Sequence, residues 1–356
     1  MSLEQSGANT RIVLREYLPP GVISASYFSI DSSQAIPSAD SLASGQILVS
    51  VGALSMDPHL RIYITSSNTE DPSSASDPHA LHPLGEAMSG IGVGVVVASK
   101  SEKFKVGDRV RAGDMPWQQF AVLVDHLVEK LPGDEPTVAL EDHLGVLGMP
   151  AFTAYLGVVT LGQARAGETL LVSAASGAVG QMVVQLAKAR GLTVIGVAGS
   201  DEKTEYVRKI GADTVLNYKT CGDFDQAIKS VAPQGIDVYF DSVGGDFLDA
   251  VLPNLKMRAR VILCGSMTTF GADRSTVKGI KNVDSMIVKE AVMRGLFYQL
   301  HVGTQAEADF VNEVSQLVKR GAVHFKTDVR EGLECAPQAL ADLYSGNNFG
   351  KLIVRL

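Results

Sequence analysis

The segment with the clearest chemical signature is a run of small residues at positions 173–180, SAASGAVG, between an apolar run and an amphipathic one. It resembles the phosphate-binding pattern GxGxxG with alanine in the first glycine position. Gly177 would let the backbone approach a pyrophosphate, Gly180 would allow close helix packing, and the helix start would direct amide N–H groups at the anion. Alone, the motif could also be a tight turn without a ligand. The predicted phosphate-binding residues are Ala175, Gly177, Ala178, Val179 and Gly180.

The residues after the next strand indicate which dinucleotide would bind. An NAD-type site places a carboxylate on the ribose hydroxyls about twenty residues beyond the loop, but this chain has Gly199 and Ser200 there. We expect Asp201 to cap the following helix and the Lys203 ammonium to face a phosphate on the adenosine ribose. The Tyr218 hydroxyl could bind the same phosphate. This pattern favours NADP(H) over NAD(H). A cap, a solvated charge and a buried aromatic ring would explain the same residues without a ligand.

Two further strand ends carry glycines, in Asp241–Gly245 (DSVGG) and Cys264–Ser266 (CGS). Ligands of parallel sheets bind at the carboxyl ends of the strands, near the point where the strand order reverses. We therefore expect both loops to line the nicotinamide half of the site. Cys264 has no flanking feature that would lower its thiol pKa, which favours a buried core thiol over a nucleophile.

A parallel sheet is needed to bring these loops together, and the chain beyond Ala166 predicts one. Apolar strand-like runs alternate with helical patterns of about ten residues. The strand-like runs are ETLLVSA, LTVIGVAGS, TVLNY, IDVYFD and RARVILCG, and the helical ones are AVGQMVVQLAKAR, DEKTEYVRKIG and 224–231. This alternation implies right-handed crossovers and a sheet covered on both faces. The prediction is an α/β, doubly wound parallel sheet of the dinucleotide-binding type.

The rest of the chain predicts a second, mainly β domain. Short β-branched runs between residues 11 and 130 alternate with Gly, Pro, Ser and Asp clusters and suggest a barrel-like arrangement. A strand at RGLFYQ, a helix over 305–320 and strand-like runs at 323–329 and 351–356 suggest that the chain returns to this domain. We expect a barrel-like domain of 1–147 and 318–356, and a dinucleotide domain of 148–317. The Ser/Asp/Pro-rich stretch 66–80 is expected to be a solvated loop or a lid.

Composition excludes several partner classes. The 356 residues are 46% hydrophobic and 20% charged, with a net charge of −8 and no block of five Lys or Arg, which argues against nucleic acids and a polybasic membrane anchor. The uncharged segment 144–162 contains Pro150 and several glycines, which favours a buried helix over a membrane span. Three widely spaced cysteines and no visible targeting signal predict a reduced, cytoplasmic protein.

Seven segments together resemble a known family. They are LGMPAFTAYLGV, GETLLVSAASGAVGQMVVQLAKARG, VIGVAGSDEK, LNYKT, YFDSVGG, RVILCGS and GNNFGKLIV. In this order, within residues 55–356, they resemble the zinc-free medium-chain dehydrogenase/reductases. The similarity is greatest to the group of prostaglandin reductases, leukotriene hydroxydehydrogenases and plant 2-alkenal double-bond reductases.

The resemblance implies a GroES-like catalytic domain, a Rossmann cofactor domain and a homodimer. By position it implies that Ser242 lies at the ribose region and that Asn348 fixes the nicotinamide or its ribose, although Asn347 and Asn348 could also be turn residues. The residues implied to line the nicotinamide are Cys264, Gly265, Ser266, Phe270, Leu296, Phe297 and Tyr298.

Two departures from the family pattern bear on catalysis. The family's DPYMR-like segment reads DPHLR here, with His59 in the tyrosine position, and the tyrosine that follows CGxxS is replaced by Phe270. A hydroxyl at either position would steady a developing enolate oxygen or help to protonate carbon. That role would pass to His59, Tyr298, the cofactor ribose or water. A structural His59 is the plainer alternative.

The resemblance also implies that the site has no metal. Zinc-dependent relatives carry an early cysteine and a GHE segment, whereas Cys221 is the first cysteine here and residues 84–87 read LGEA. His79 and His82 are expected to be solvated loop residues. Without a Lewis acid, conjugate reduction of an enal or enone by NADPH is favoured, because hydride attack at the β-carbon needs only donors to the carbonyl oxygen. A quinone or carbonyl oxidoreductase, or an NADPH-binding partner protein with little turnover, are the alternatives.

Overall fold

The computed structural model describes residues 7–66, 81–132, 138–273 and 275–356, which divide into two compact units. The first takes the described residues of Met1–Leu144, with Asp328–Asn348 and Leu352–Leu356. The second takes those of Gly145–Thr327, with Phe349–Lys351. From residue 67 onward, the loop expected at 66–80 lies outside the described residues.

The chain begins with the strands of the first unit. Its elements up to residue 130 are β1 (Arg11–Leu14), β2 (Phe28–Asp31), β3 (Gln46–Ser55), α1 (Leu60–Ile64), β4 (Ser89–Ser99), β5 (Arg109–Pro116), β6 (Phe120–Val124) and β7 (Val128–Lys130). The long β3 and β4 pair antiparallel with register shifts. A Cβ on Gly94 would lie 2.4 Å from Ser50 O, so the tight approach of these strands requires glycine there.

The second unit alternates strands and helices. Its elements are α2 (Met149–Tyr155), β8 (Thr169–Val172), α3 (Gly180–Ala189), β9 (Thr193–Ala198), α4 (Asp201–Lys209), β10 (Thr214–Asn217), α5 (Phe224–Val231), β11 (Ile236–Asp241), α6 (Gly245–Val251), β12 (Leu255–Leu263), α7 (Asp284–Lys289), β13 (Val292–Gly295) and α8 (Gln305–Lys319). The strands form one parallel sheet in the order β10-β9-β8-β11-β12-β13. The predicted doubly wound sheet is confirmed, and its strand order reverses between β8 and β11.

The chain then returns to the first unit through β14 (Thr327–Glu331), α9 (Ala336–Ser345) and β15 (Lys351–Arg355). The seven-stranded sheet has the order β14-β15-β3-β4-β5-β7, with β6 paired to β3. The return falls at Asp328 rather than at the expected 318. The reason is that the segment between α8 and β14 stays with the second unit, where the amides of His324 and Lys326 donate to the side chains of Gln185 and Gln181 at 2.8 and 2.7 Å.

The uncharged segment 144–162 is a buried helix, as predicted. It comprises α2 followed by a π-helix, Leu156–Leu161. The π-helix packs so closely on β11 that a Cβ on Gly157 would lie 2.1 Å from the Phe240 ring. Within the described ranges, no helix has the length and apolar character needed to cross a bilayer.

Three details differ from the sequence expectation. The expected strand RGLFYQ is strand only up to Gly295, and a 3₁₀ turn, Tyr298–His301, follows. The strand expected at 323–329 begins at Thr327. The helices α6, α7 and α9 were not predicted. The first two have seven and six residues, which is too short for a helical repeat to stand out.

Candidate dinucleotide-binding site

The predicted phosphate loop joins β8 to α3 at the switch point of the sheet. A Cβ on Gly180 would lie 2.3 Å from Ala174 O and 2.7 Å from Ala175 Cα, so helix and loop touch backbone to backbone. A Cβ on Gly177 would meet one atom within 4 Å, Ala174 O at 3.1 Å. Ala174 has a φ of +49°, which L-residues adopt at a cost of about 1–2 kcal/mol. Such a strained, small-residue turn is typical of a functional loop.

The amides at the start of α3 are available to an anion. Val179, the residue before the helix, has helical dihedral angles and makes no side-chain cap. Within the loops that the structure describes, the amide N–H groups of Ala178 and Val179 donate to no backbone oxygen. The loop itself is anchored on its other side, because Ala175 N donates to Val197 O at 2.8 Å. The positive end of the helix dipole adds to the preference for negative charge.

The residues expected at the adenosine ribose lie at the ends of β9 and β10. Ser200, not Asp201, caps α4: its hydroxyl accepts the amide of Lys203 at 3.3 Å. Asp201 is the first helical residue and accepts from Asn217 at 3.1 Å. Tyr218 is 44% exposed, so the buried-aromatic alternative is wrong.

Tyr218 and Gly199 are in direct contact. A Cβ on Gly199 would lie 2.6 Å from Tyr218 Cε1 and 2.9 Å from its hydroxyl oxygen, so only glycine admits the ring at this position. The structure thus brings Gly199, Ser200 and Tyr218 to adjoining strand ends, with Lys203 on the first turn of the helix between them. This arrangement leaves a half-exposed phenol beside a strand end without a carboxylate.

Asp241, at the end of β11, joins the loops around the switch point. Its side chain is fully buried and accepts hydrogen bonds from Ser173 Oγ at 3.1 Å, Tyr239 OH at 2.7 Å and the amides of Val243 and Gly244 at 3.0 Å. Its carbonyl oxygen accepts the amide of Cys264 at 2.8 Å. Burial, then the charge of Asp241, raises the pKa of Tyr239 well above its ordinary value, so this phenol stays a donor.

A cavity of about 370 Å³ opens between the loops that follow β11 and β12. Its lining includes Asp241, Gly244, Cys264, Ser266 and Phe270. Four of the residues predicted at the nicotinamide therefore face one space: Cys264, Gly265, Ser266 and Phe270. The two loops are also joined directly, since Thr268 Oγ1 donates to Val243 O at 2.8 Å. Ser242 lies beside this cavity and donates its amide to Ser173 Oγ at 2.8 Å.

Cys264 behaves as a structural thiol. Burial raises its pKa to about 12, so almost none of it is thiolate at neutral pH. This agrees with the prediction of a core thiol rather than a nucleophile.

The remaining second-unit candidates follow β13. Leu296 is buried and its amide donates to Leu263 O at 2.8 Å, which holds it beside the end of β12. Phe297 is 56% exposed, and its ring lies 6.4 Å from that of Tyr298, which is half-buried against the core of the unit.

Two candidates, His59 and Asn348, belong to the first unit. His59 precedes α1 and its ring meets the edge of Tyr63 at a centroid distance of 6.1 Å, one helical turn further on. Asn348 is half-buried in the segment between α9 and β15. Their roles stay predictions.

Sequence analysis missed a second group of polar residues at the start of α3. Gln181 is fully buried, and its Oε1 accepts from Tyr206 OH at 2.6 Å and from Lys326 N at 2.7 Å. The ring of Phe349 then packs on Tyr206 at 5.2 Å. These partners lie up to 145 positions apart, so no local pattern could have revealed them. The carboxyl group of Asp241 was visible in DSVGG, but its partners were not.

In the described ranges, no three His, Cys, Asp or Glu side chains are grouped as a metal ion would need. His79 lies outside those ranges. His82 is not the solvated residue expected: its side chain is half-buried, and burial lowers its pKa.

A parallel sheet in the order 3-2-1-4-5-6 with a glycine-containing turn at its switch point defines a Rossmann-type, dinucleotide-binding class of protein. Family models agree with this class. A model described as "Zinc-binding dehydrogenase" matches residues 178–320, and one described as "N-terminal domain of oxidoreductase" matches residues 11–131. The chain is an oxidoreductase and belongs to the medium-chain dehydrogenase/reductase family, in the zinc-free group of the prostaglandin and 2-alkenal reductases.

Curated relatives cover most of the chain. It is 38% identical to the 2-alkenal reductase (NADP(+)-dependent) of Nicotiana tabacum, over 76% of this chain and 77% of the relative. It is 35% identical to prostaglandin reductase 1 of Bos taurus, over 88% and 90%. It is 34% identical to the putative NADP-dependent oxidoreductase YfmJ of Bacillus subtilis, over 88% of each.

A solved structure is similar over almost the whole chain. CurA from Vibrio vulnificus in complex with NADPH superposes with a TM-score of 0.85 at 34% identity, covering 97% of this chain and 98% of that one.

Proposed function

We propose that the protein is an NADPH-dependent reductase that saturates the C=C bond of α,β-unsaturated aldehydes or ketones without a metal ion. The observation that carries the proposal is the similarity of most of the chain to relatives named 2-alkenal reductase and prostaglandin reductase 1. Its oxidoreductase fold and the features of the Rossmann unit are compatible with that chemistry.

The residues of the second unit fit NADPH. The start of α3 is a cradle in which a Cβ at position 180 would fill the space that loop and helix share, and its amides suit the pyrophosphate. Lys203 and Tyr218 would hold the adenosine ribose phosphate, and the absence of a carboxylate from the β9 end suits that charge. Ser242 and the cavity residues Cys264 to Phe270 would take the ribose and nicotinamide, with Leu296, Phe297 and Tyr298 beside them, and Asn348 stays a candidate for the same end.

NADPH, when bound, supplies a hydride for the β-carbon of the substrate. The chain would hold the substrate in place, exclude water and donate a hydrogen bond to the carbonyl oxygen as negative charge develops there. Tyr298 and His59 are our candidates for that donor, since Phe270 carries no hydroxyl. We expect Tyr298→Phe or His59→Phe to lower kcat while the Kd of NADPH stays unchanged, and an unchanged kcat would remove the residue concerned from this role.

The test of the function is a panel of enals, enones and quinones with NADPH and NADH, followed by mass analysis of the products. Deuterium from [4-²H]NADPH should appear on the β-carbon of a product that keeps its carbonyl. Reduction of the carbonyl itself, or turnover of quinones alone, would contradict the proposal. Tight binding of NADPH without turnover across the panel would indicate a binding protein instead.

We also propose a homodimer built on the edge of the parallel sheet. Among the described strands, β13 has a neighbour on one side only, so its other edge offers unpaired backbone groups. Apolar side chains near it are exposed: Val292 and Phe297 by 56%, and Leu300 by 75%. Light scattering should give twice the chain mass, and Val292→Asp should give the monomer, whereas Val106→Asp, an exposed valine of the first unit, should not. A monomeric wild type would contradict this.

The proposed partner is thus a small-molecule enal or enone, and the proposed location is the cytoplasm, where Cys221, Cys264 and Cys335, none of which is in a disulfide, would stay reduced. Fractionation with a tagged chain would test the location.

A further inference from the structure

We propose that Asp241 is a positioning residue whose carboxylate sets the geometry of the dinucleotide site by holding three strand-end loops in one arrangement. The inference rests on the proposed function. One buried side chain would then fix the relative positions of the loops after β8, β11 and β12.

The hydrogen bonds of Asp241 reach all three loops. Oδ1 accepts from Ser173, which opens the phosphate loop after β8. Both carboxylate oxygens accept the amide of Gly244, at 3.0 and 3.1 Å, in the loop after β11. The carbonyl oxygen accepts the amides of Cys264 and Gly265, at 2.8 and 3.2 Å, in the loop after β12. One residue therefore links the loops on both sides of the switch point.

The Ser173 hydroxyl extends this network. It accepts the amide of Ser242 at 2.8 Å and donates to Asp241 Oδ1, so the chain of donors runs from the β11 loop through the β8 loop to the carboxylate. The Tyr239 hydroxyl also donates to Asp241 Oδ1, at 2.7 Å. Every recorded side-chain contact of Asp241 is with a donor, which requires an acceptor-only group at this position.

A carboxylate differs from its neutral isostere at such a place. Asparagine would turn one of the two oxygens into an NH₂ group that faces amide and hydroxyl donors, and charge-assisted bonds would become neutral ones. In either orientation the NH₂ group would face the buried amide of Gly244, which donates to both oxygens in the wild type. With the NH₂ group in the Oδ1 position, the amide of Val243 would lose its acceptor as well, and the loop would move to find other partners. That loop and the one after β12 form the walls of the 370 Å³ cavity, so a shift of either changes the shape offered to a ligand.

The glycines of the β11 loop show how little freedom the arrangement has. Gly244 has a φ of +71°, and a Cβ there would lie 2.6 Å from Ser266 Oγ in the facing loop. A Cβ on Gly245 would lie 2.8 Å from Thr268 Oγ1. The two loops are packed too closely for independent movement, and Asp241 is the polar anchor beneath both.

The test compares Asp241→Asn with Asp213→Asn. Asp213 also binds a main-chain amide, that of Val194 at 2.8 Å, but at the amino end of β10, away from the proposed site. Each variant is measured for Tm, for the Kd of NADPH by fluorescence titration well below its Tm, and for kcat and KM with an active enone. Wild-type binding of NADPH is measured first, and its failure would refute the proposed function rather than the role of Asp241.

We expect Asp241→Asn to raise the Kd and KM of NADPH at least tenfold, with kcat at saturating NADPH within threefold of wild type. Asp213→Asn should lower the Tm without changing either constant. Ser173→Ala should show the same split as Asp241→Asn, more weakly. A purely structural Asp241 would reduce the number of binding sites but leave the Kd of the folded molecules unchanged. Wild-type Kd and KM in Asp241→Asn would therefore overturn the inference, whatever its Tm.

Discussion

Gly180 and Gly177 lie three residues apart in one loop, yet the structure predicts different consequences when each becomes alanine. A methyl group at position 180 would lie 2.3 Å from Ala174 O and 2.7 Å from Ala175 Cα, and both atoms are backbone. The shortfall from an ordinary contact is roughly 1 Å. Neither neighbour can rotate away, so α3 or the loop must move.

The cost at Gly180 follows from two opposing effects. Overpacking of a closely packed site destabilises a protein by about 1–3 kcal/mol, while alanine favours helix over glycine by up to about 1 kcal/mol. Because the clash is between backbone atoms, we take the upper part of the first range, which leaves a net loss of about 2 kcal/mol. For a unit of this size, that loss lowers the Tm by about 4–8 °C.

Gly177→Ala is the matched variant. Its methyl group would meet only Ala174 O within 4 Å, at 3.1 Å, which a shift of a few tenths of an ångström relieves. Its φ is not positive, so alanine can adopt the backbone conformation. We expect a change in Tm below about 2 °C. If the backbone here approaches a pyrophosphate, the methyl group should nevertheless raise the Kd of NADPH about tenfold or more, a loss of about 1.4 kcal/mol in binding.

Calorimetry for Tm and fluorescence titration for the Kd of NADPH separate the two effects. A wild-type Tm for Gly180→Ala would refute the backbone contact between loop and helix. An unchanged Kd for Gly177→Ala would refute the placement of the pyrophosphate at this loop, even if Gly180→Ala behaves as expected.

Two more predictions concern charge. Lys203→Ala should raise the Kd of NADPH by about 10- to 100-fold, because one charged hydrogen bond is lost, and should raise the Kd of NADH less than twofold. Lys209→Ala, on the last turn of α4, is the control. Equal effects of Lys203→Ala on both cofactors would contradict a contact between Lys203 and the ribose phosphate. In the first unit, burial and then the charges of Arg109 and Arg111 lower the pKa of the buried His143 to about 4. The unfolded chain therefore takes up this proton first, near pH 6.5, and stability falls as the pH drops from there towards 4. Urea unfolding at pH 7 and 4.5 should show wild type losing about 2 kcal/mol more than His143→Gln over that range, whereas equal losses would mean that His143 is protonated in the folded protein.

The sequence was sufficient for the parallel sheet because its signals are local. Runs such as TVIGVA are apolar on both faces, which is what a strand covered by helices on both sides requires. The helix expected at 224–231 has those bounds in the structure for a similar reason: Asp223 caps it by accepting the amide of Gln226, three residues on. Patterns within a few residues thus placed the predicted loops at adjoining strand ends.

The helix cap, the strand end and the unit boundary that were predicted wrongly depend on features that the local sequence does not determine. Ser200 and Asp201 are both good caps, and extended dihedral angles at Ser200 decide in its favour. The strand at RGLFYQ ends early because only residues 292–295 pair with β12, and pairing is a property of the neighbour. The return at 328 was missed because the segment after α8 is held to the second unit by bonds from the amides of His324 and Lys326 to side chains that lie 139 and 145 positions away.

Hydrogen-bond networks between side chains are the part of the site that could least be predicted from the sequence, and the network at Gln181 is an example. Its side-chain amide pairs with the main chain of Lys326: the Gln181 oxygen accepts from Lys326 N at 2.7 Å, and the Gln181 NH₂ group donates to Lys326 O at 3.1 Å. Tyr206 of α4 donates to the same oxygen, and the Lys326 ammonium lies 4.4 Å above the Phe349 ring. The first turn of α3, which follows the phosphate loop, is thereby fixed to the helix that carries Lys203. The positions of the phosphate loop and of Lys203 relative to one another thus depend on one buried amide, although the sequence gives it no more prominence than any other glutamine.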